Sequence, residues 1–186
     1  MKCEFLALSS SVSTFPKPSL PEVAFVGRSN AGKSSLLNTL AGQKIARTSS
    51  TPGRTQGLCF FKVDSLIFVD FPGFGYARVS KQTRLDWGEL ADGYYSLRKT
   101  LRRTVWIYDI RREPDPLDFQ MKDWLEAKGK PYLVALTKSD RLKRGEWENR
   151  RLAISEALNI QREETLIVSG KTREGTQALW RWIKNG

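Results

Sequence analysis

The residues most able to do chemistry stand early in the chain. Gly27-Arg28-Ser29-Asn30-Ala31-Gly32-Lys33-Ser34 has the G-x-x-x-x-G-K-[ST] spacing. Glycines at both ends let the backbone turn its amides inward, a lysine reaches terminal phosphates, and the closing hydroxyl is a ligand for Mg²⁺. The chemistry implied is capture of a phosphate chain.

Two further sets follow at matching places. Asp70-Phe71-Pro72-Gly73 puts a carboxylate and then a mobile backbone N–H after an apolar run. Asp70 suits the metal side of a nucleotide, acting through a water, and Gly73 can offer its N–H to a γ-phosphate. Thr137-Lys138-Ser139-Asp140 supplies a carboxylate able to accept from both the ring N–H and the exocyclic amine of guanine, a donor pair that adenine lacks. The Lys138 stem would lie along the base. Val168, Ser169 and Gly170 form a shorter set able to approach the guanine O6. Between the first two sets, Thr51 and Thr55 are both candidates for a hydroxyl that completes the Mg²⁺ shell when the γ-phosphate is present, and spacing does not separate them.

These groups can meet only if the chain positions them. Glu22-Val23-Ala24-Phe25-Val26 reads as a buried strand leading into the loop, and Ser35 to Leu40 as a helix whose N-terminus lies under the phosphates. Gly57–Val63 and Leu66–Asp70 are β-prone runs split by Asp64 and Ser65, predicting an antiparallel hairpin at the sheet edge. A helix is expected between Val79 and Thr100, with Leu85, Leu90, Tyr94, Tyr95 and Leu97 on one face and Arg98, Lys99, Arg102 and Arg103 gathered at its end. Val105 to Tyr108 is the next strand, tipped by Asp109; Asp115-Pro116 then opens a helix that Gly129 closes. Tyr132–Leu136, Trp147–Leu158, Thr165–Val168 and Gly175–Ile183 read as strand, helix, strand and helix. The alternation predicts an α/β fold, a doubly wound and mostly parallel sheet of the six-stranded P-loop GTPase type. Residues 1–21 read as an edge strand and extended lead-in packed on a single GTP-binding domain over 22–186, and Gln43 to Gln56 as a mobile loop.

Composition narrows the partners. The chain has 186 residues, 31 Lys+Arg against 20 Asp+Glu, and a formal charge of +11, which favours a polyanionic partner such as RNA, DNA or an acidic membrane, the alternative being a solvated basic surface. Two cysteines and no histidine exclude a disulfide framework and the commonest metal-site spacings. A reducing cytoplasm fits, and no apolar run approaches the ~20 residues of a membrane span. A monomer is expected.

Taken together, these motifs resemble the EngB (YihA) family of bacterial ribosome-assembly GTP-binding proteins, within the translation-factor class of GTPases, from about Glu22 to the C-terminus. Thr-Pro-Gly-Arg-Thr-Gln at 51 to 56 is part of the likeness. The resemblance implies that Thr55 is the Mg²⁺-binding threonine beside Ser34, and that Gly53, Arg54, Gln56 and Gly57 join the GTP-binding set with Phe71 and Pro72. It makes Lys33, Thr55 and Gly73 the catalytic set. It also implies work on the large ribosomal subunit, on rRNA or a pre-ribosomal particle, and a need for the protein in cell division and septation. Ser169-Gly170 departs from the two small residues, such as Ser-Ser or Ser-Ala, that the family more often has.

Where many GTPases carry a water-orienting glutamine after Gly73, this chain has Phe74, which cannot hydrogen-bond a water, so slow intrinsic hydrolysis is expected. Asn30 either braces the loop or contacts a K⁺ ion, as the resemblance to K⁺-using GTPases implies. The leading expectation is a GTP-hydrolysing switch. The alternative is a guanine-nucleotide-dependent RNA-binding or scaffold protein with incidental hydrolysis; a nucleotide kinase is disfavoured by the 137–140 motif. For RNA contact, the cations at 98, 99, 102, 103, 111, 112, 143, 144, 150 and 151 are candidates, with Trp180 and Trp182 as stacking or core residues.

Overall fold

The structure is a computed structural model that describes residues 2–46, 57–75 and 81–185, with side chains from residue 85 onward in the last stretch. In chain order the elements are β1 (Cys3–Ser9), a 3-10 turn at Val12–Thr14, β2 (Glu22–Gly27), α1 (Lys33–Ala41), β3 (Leu58–Val63), β4 (Leu66–Asp70), α2 (Lys81–Leu97) and β5 (Leu101–Asp109). They continue with α3 (Pro116–Lys128), β6 (Tyr132–Thr137), α4 (Trp147–Leu158), β7 (Thr165–Ile167) and α5 (Thr176–Lys184). The strands form one seven-stranded sheet in the order β1-β3-β4-β2-β5-β6-β7. From β4 to β7 all neighbours are parallel, while β3 runs antiparallel to both β1 and β4.

The expected hairpin forms between β3 and β4, and the expected N-terminal edge strand lies outside it, so the hairpin itself is not the sheet's edge. β4 lies inside the sheet beside β2, and β1 covers the outer edge of β3, with Cys3 opposite Val63 and Ser9 opposite Leu58. An open β3 edge would leave a row of unpaired backbone groups, and the N-terminal strand satisfies them.

Alternation along each central strand splits the core into two layers. Ala24, Val26, Trp106, Tyr108 and Val134 face α2, α3 and α4 through Tyr94, Met121 and Ile154. Val23, Phe25, Val105, Ile107 and Ala135 face α1 and α5 through Leu36, Leu40, Leu179 and Ile183. α3 starts as its sequence predicts: Asp115 caps it by accepting from the Leu117 amide at 2.9 Å, Pro116 opens it, and Gly129 ends it in the left-handed region at φ 63°.

α2 departs from expectation at both ends. Leu85 is 52% and Leu97 60% exposed, so among the described side chains Leu90, Ala91, Tyr94 and Tyr95 carry its buried stripe. The helix stops at Leu97, and Arg102 and Arg103 belong to β5. Arg98 is buried, because Glu22 at the start of β2 is buried too and needs a counter-charge. Its guanidinium grips both Glu22 oxygens and donates to the Pro16 carbonyl at 2.7 Å, while Tyr94 Oη and Thr100 Oγ1 also donate to Glu22. Arg98 is therefore a structural residue, and it ties the lead-in to β2.

Candidate functional site

The C-terminal ends of the parallel strands gather the chemistry-bearing residues at one edge, where open α/β sheets bind ligands. The loop from Gly27 to Ser34 crosses from β2 to α1. Gly32, just ahead of α1, has φ 95°, a left-handed conformation that a side chain would strain, and Asn30 has φ 61°, which asparagine tolerates best among residues with a Cβ. These two left-handed positions turn the chain tightly into the N-terminus of α1, whose free N–H groups favour an anion. The Asn30 side chain is exposed and makes no hydrogen bond among the described residues, while its backbone carbonyl accepts from Lys138 Nζ.

Lys33 from the loop and Asp70 from the tip of β4 form an ion pair. Asp70 is only 5% exposed; burial pushes its carboxyl above the usual range and Lys33 opposes that rise. Ser34 stands beside Lys33 at the start of α1. Beyond Asp70, the Phe71 amide donates to the Phe25 carbonyl at 3.1 Å, and the Pro72 carbonyl accepts from Trp87 Nε1 at 3.0 Å. Gly73 packs on the Ser29 backbone. Phe74 is stitched to the loop on both sides, donating to the Gly27 carbonyl at 3.2 Å and accepting from the Ser29 amide at 2.9 Å. Its ring lies 6.2 Å from Trp87, turned into the α2 side.

The second half of the edge is locked to the first. Thr137 Oγ1 lies between the Ala31 and Tyr108 carbonyls, the latter at 3.0 Å. Lys138, at φ 61°, sends Nζ to the Asn30 carbonyl and pairs with Asp109 at 2.9 Å. Ser139 is buried and donates to the Val168 carbonyl at 3.1 Å. Ser169 Oγ donates to Asp140 Oδ1 at 2.6 Å and accepts from the amides of Lys171 and Thr172, both at 3.1 Å. That bond sets the rotamer of the Asp140 carboxylate. Gly170 meets α1 so closely that a Cβ there would stand 2.9 Å from the Leu36 nitrogen, and its carbonyl accepts from Thr39 Oγ1 at 2.6 Å. The glycine that departs from the family's usual pair is thus explained by a close approach of two backbones.

Two residues take parts that sequence reading did not give them. Asp109, at the tip of β5, accepts from Arg111 Nε at 2.9 Å, Arg111 Nη2 at 2.7 Å and the Arg111 amide at 3.1 Å, besides holding Lys138. Burial alone would raise its carboxyl, but these partners hold it down at about 2. Its signal was legible: like Asp70, it is an acid ending an apolar strand. Arg28, a member of the loop, directs its guanidinium at Asp115, the α3 cap, at 2.5 Å, with Asp118 at 3.6 Å. It therefore joins the loop to α3.

Several expectations land elsewhere. Thr51, Gly53, Arg54, Thr55 and Gln56 lie outside the described residues. Gly57 stands against the Ser9 carbonyl of β1. Among the cations considered for RNA, Arg111 is held by Asp109, Arg112 by Asp115, Arg150 by Glu113 and the Ile110 and Arg112 carbonyls, and Arg151 by Thr165 and the Arg162 carbonyl. Trp180 packs on Phe68 at 5.4 Å and donates to the Leu40 carbonyl, so it is a core residue. Among the described residues no three His, Cys, Asp or Glu side chains cluster as a metal site, and no helix is long and apolar enough to cross a membrane.

Known proteins share this arrangement. The family described as "50S ribosome-binding GTPase" matches residues 22–138. The "Probable GTP-binding protein EngB" of Lactiplantibacillus plantarum is 45% identical over 184 residues, 97% of this chain and 93% of that one. Its namesake in Syntrophus aciditrophicus is 48% identical over 183 residues, again 97% and 93% of the two chains. Among solved structures, a probable GTP-binding protein engB superposes with a TM-score of 0.73 at 23% identity, covering 87% of this chain and 96% of that one. Era in complex with Mg-GDPNP and a 16S rRNA segment superposes with a TM-score of 0.68 at 24% identity, covering 88% of this chain and 55% of that one. At those identities the two structures bear on the fold alone. The extent and level of the sequence matches decide the assignment: this chain belongs to the EngB family of GTP-binding proteins and is a P-loop GTPase.

Proposed function

We propose that the protein is a GTP-hydrolysing switch acting in assembly of the large ribosomal subunit in the cytoplasm, with normal cell division and septation depending on it. The observation that carries the reading is the direct tie between the two halves of the site. Thr137 bonds to Ala31 and Lys138 to Asn30, so the base-reading motif and the phosphate loop form one rigid unit. A guanine held by Asp140 and phosphates held by Gly27 to Ser34 then sit at a fixed separation, which is what a nucleotide requires.

In this reading residues 22–186 are a single GTP-binding domain and 1–21 an extension of it. Lys33 binds the terminal phosphates, Gly73 gives its amide to the γ-phosphate, and Asp140, oriented by Ser169, accepts from guanine, with Val168 and Gly170 forming the floor of that end. The hard oxygens of Ser34, Thr55 and, through a water, Asp70 suit Mg²⁺, which would neutralise phosphate charge when bound. The Lys33–Asp70 pair keeps two opposite charges compensated until GTP and its metal take their places. Asn30 is the candidate K⁺ contact.

Intrinsic hydrolysis should be slow. Phe74 cannot orient a water: its backbone is bonded to the loop while its ring packs on Trp87 on the α2 side. The same observation favours the second reading, a guanine-nucleotide-dependent RNA-binding scaffold with incidental hydrolysis. Multiple-turnover phosphate release, in KCl and in NaCl and with and without large-subunit precursors, separates them. The switch reading expects stimulation by particles and by K⁺; equal slow rates in every condition would leave the scaffold.

A further inference from the structure

The cations that sequence reading nominated for RNA are divided by the structure into two groups, and one group is spent on internal partners. Arg98, Arg111, Arg112, Arg150 and Arg151 each hold a carboxylate or backbone carbonyls of this chain. What remains of the positive charge is not scattered. At the pole opposite the nucleotide edge, where β2, β5 and β6 begin, stand Lys17, Lys99, Arg102, Arg103, Lys130 and Lys184. Among the described residues none of these six has a carboxylate within ion-pair distance.

Backbone and side-chain bonds bring these six together. Arg98 donates to the Pro16 carbonyl, which brings Lys17 to the turn that carries Lys99. The Glu22 amide donates to the Thr100 carbonyl at 2.8 Å, and the Thr104 amide to the Pro131 carbonyl at 2.9 Å, so Lys130 borders the start of β5. Arg103 places its guanidinium 4.5 Å from the Trp182 ring, drawing the last turn of α5 and Lys184 to the same end. Arg103 Nε is buried there without a hydrogen-bond partner. The acids at this pole lie toward β7: Glu126 pairs with Lys122 and, with Glu164, acts on Tyr132 at the start of β6, while Glu22 is saturated by Arg98 and Asp64 accepts from the Lys2 amide.

We propose that this pole is the surface by which the protein docks on the phosphate backbone of structured RNA, leaving the nucleotide edge free. The inference rests on the ribosomal reading above and adds the face that makes the contact. Unpaired lysines and arginines spread over several strand starts suit a chain of phosphates, which releases counterions as each is neutralised. A membrane needs a band of apolar side chains beside the charge, and Leu97 is the large apolar residue exposed beside Lys99.

The test compares two variants that remove equal charge from opposite ends: Arg102→Ala/Lys130→Ala at the pole, and Lys143→Ala/Arg144→Ala near the base motif. Binding to a fluorescein-labelled duplex RNA and to isolated large ribosomal subunits is measured across a KCl series, with fluorescent GDP affinity as the check on folding. The pole variant should bind RNA several-fold more weakly and flatten the log–log salt slope by about 2, with GDP affinity unchanged. The control variant should keep most of the slope. Equal losses in both variants, or a pole variant that binds like the parent, would overturn the docking face while leaving the ribosomal reading standing. A parent protein that binds neither RNA nor subunits would defeat the ribosomal reading itself. Capture of the parent by phosphatidylserine vesicles but not by RNA would assign the pole to a membrane instead.

Discussion

Asp109→Asn is the substitution that most directly tests how the site is held. The parent carboxylate is 5% exposed and is held at about 2 against an ordinary 3.8, which is about 2.5 kcal/mol in favour of its charged form. Part of that belongs to Arg111, whose side chain is 44% exposed, so solvent screens the pair to at most about 1 kcal/mol. Burial opposes the charged form, and against it the rest of the shift is shared by the Arg111 amide and Lys138, which Asp109 holds at 2.9 Å while Nζ also serves the Asn30 carbonyl; a buried charge-assisted hydrogen bond of this kind contributes about 1–2 kcal/mol. Asparagine keeps the shape and loses the charge, so the lysine that joins base motif to phosphate loop is released from one side. Guanine nucleotide binding should weaken about 5- to 30-fold, with guanine preference retained because Asp140 is untouched. Fluorescent GDP titrations on the parent, Asp109→Asn, Lys138→Ala and the double variant would measure it. A positioning role predicts strong coupling, the aspartate change having little effect once Lys138 is gone. Additive losses in the cycle, or unchanged affinity beside a lowered unfolding midpoint, would refute the argument and make Asp109 a purely structural acid.

The remaining expectations concern stability and specificity. Arg98→Leu leaves Glu22 charged and buried and should cost about 3–5 kcal/mol in urea unfolding, whereas Glu22→Leu/Arg98→Leu should recover much of it. A single variant within about 1 kcal/mol of the parent would contradict the pairing. Because the folded pKa of Asp109 is depressed, its stabilisation is complete above the unfolded value near 3.8 and is lost as pH falls through about 2. Acid unfolding of Asp109→Asn should accordingly depend less on pH across that window than the parent's. Asp140→Asn should shift preference from guanine to xanthine nucleotides, read by competition binding, and an unchanged preference would defeat the base assignment.

How much was legible in the chain is clearest at particular residues. The spacing from Gly27 to Ser34, the acid at Asp70 and the run from Thr137 to Asp140 are local patterns, and local geometry needs only a strand before and a turn after. The strands and helices that carry them follow from periodicities of two and 3.6 that neighbouring residues set for themselves. The α3 boundaries were readable for the same reason, since Asp115, Pro116 and Gly129 act within one turn. Partnership between distant residues was not readable. Nothing near Arg98 announces that Glu22, 76 positions earlier, will be buried against it, so a buried clamp looked like a surface cation. That Arg28 would reach Asp115 in α3, and that Asp109 at a strand end would hold Lys138 from β6, depended on the fold bringing them together. Strand order belongs to the same class, because covering the β3 edge with β1 depends on which backbone groups the whole sheet leaves unpaired. The sequence by itself determined which chemistry is present and on which kind of element it rides. Only the tertiary structure decided which charges are spent inside and which are left to face a partner, because desolvation and long-range pairing, not residue type, settle where a charge is satisfied.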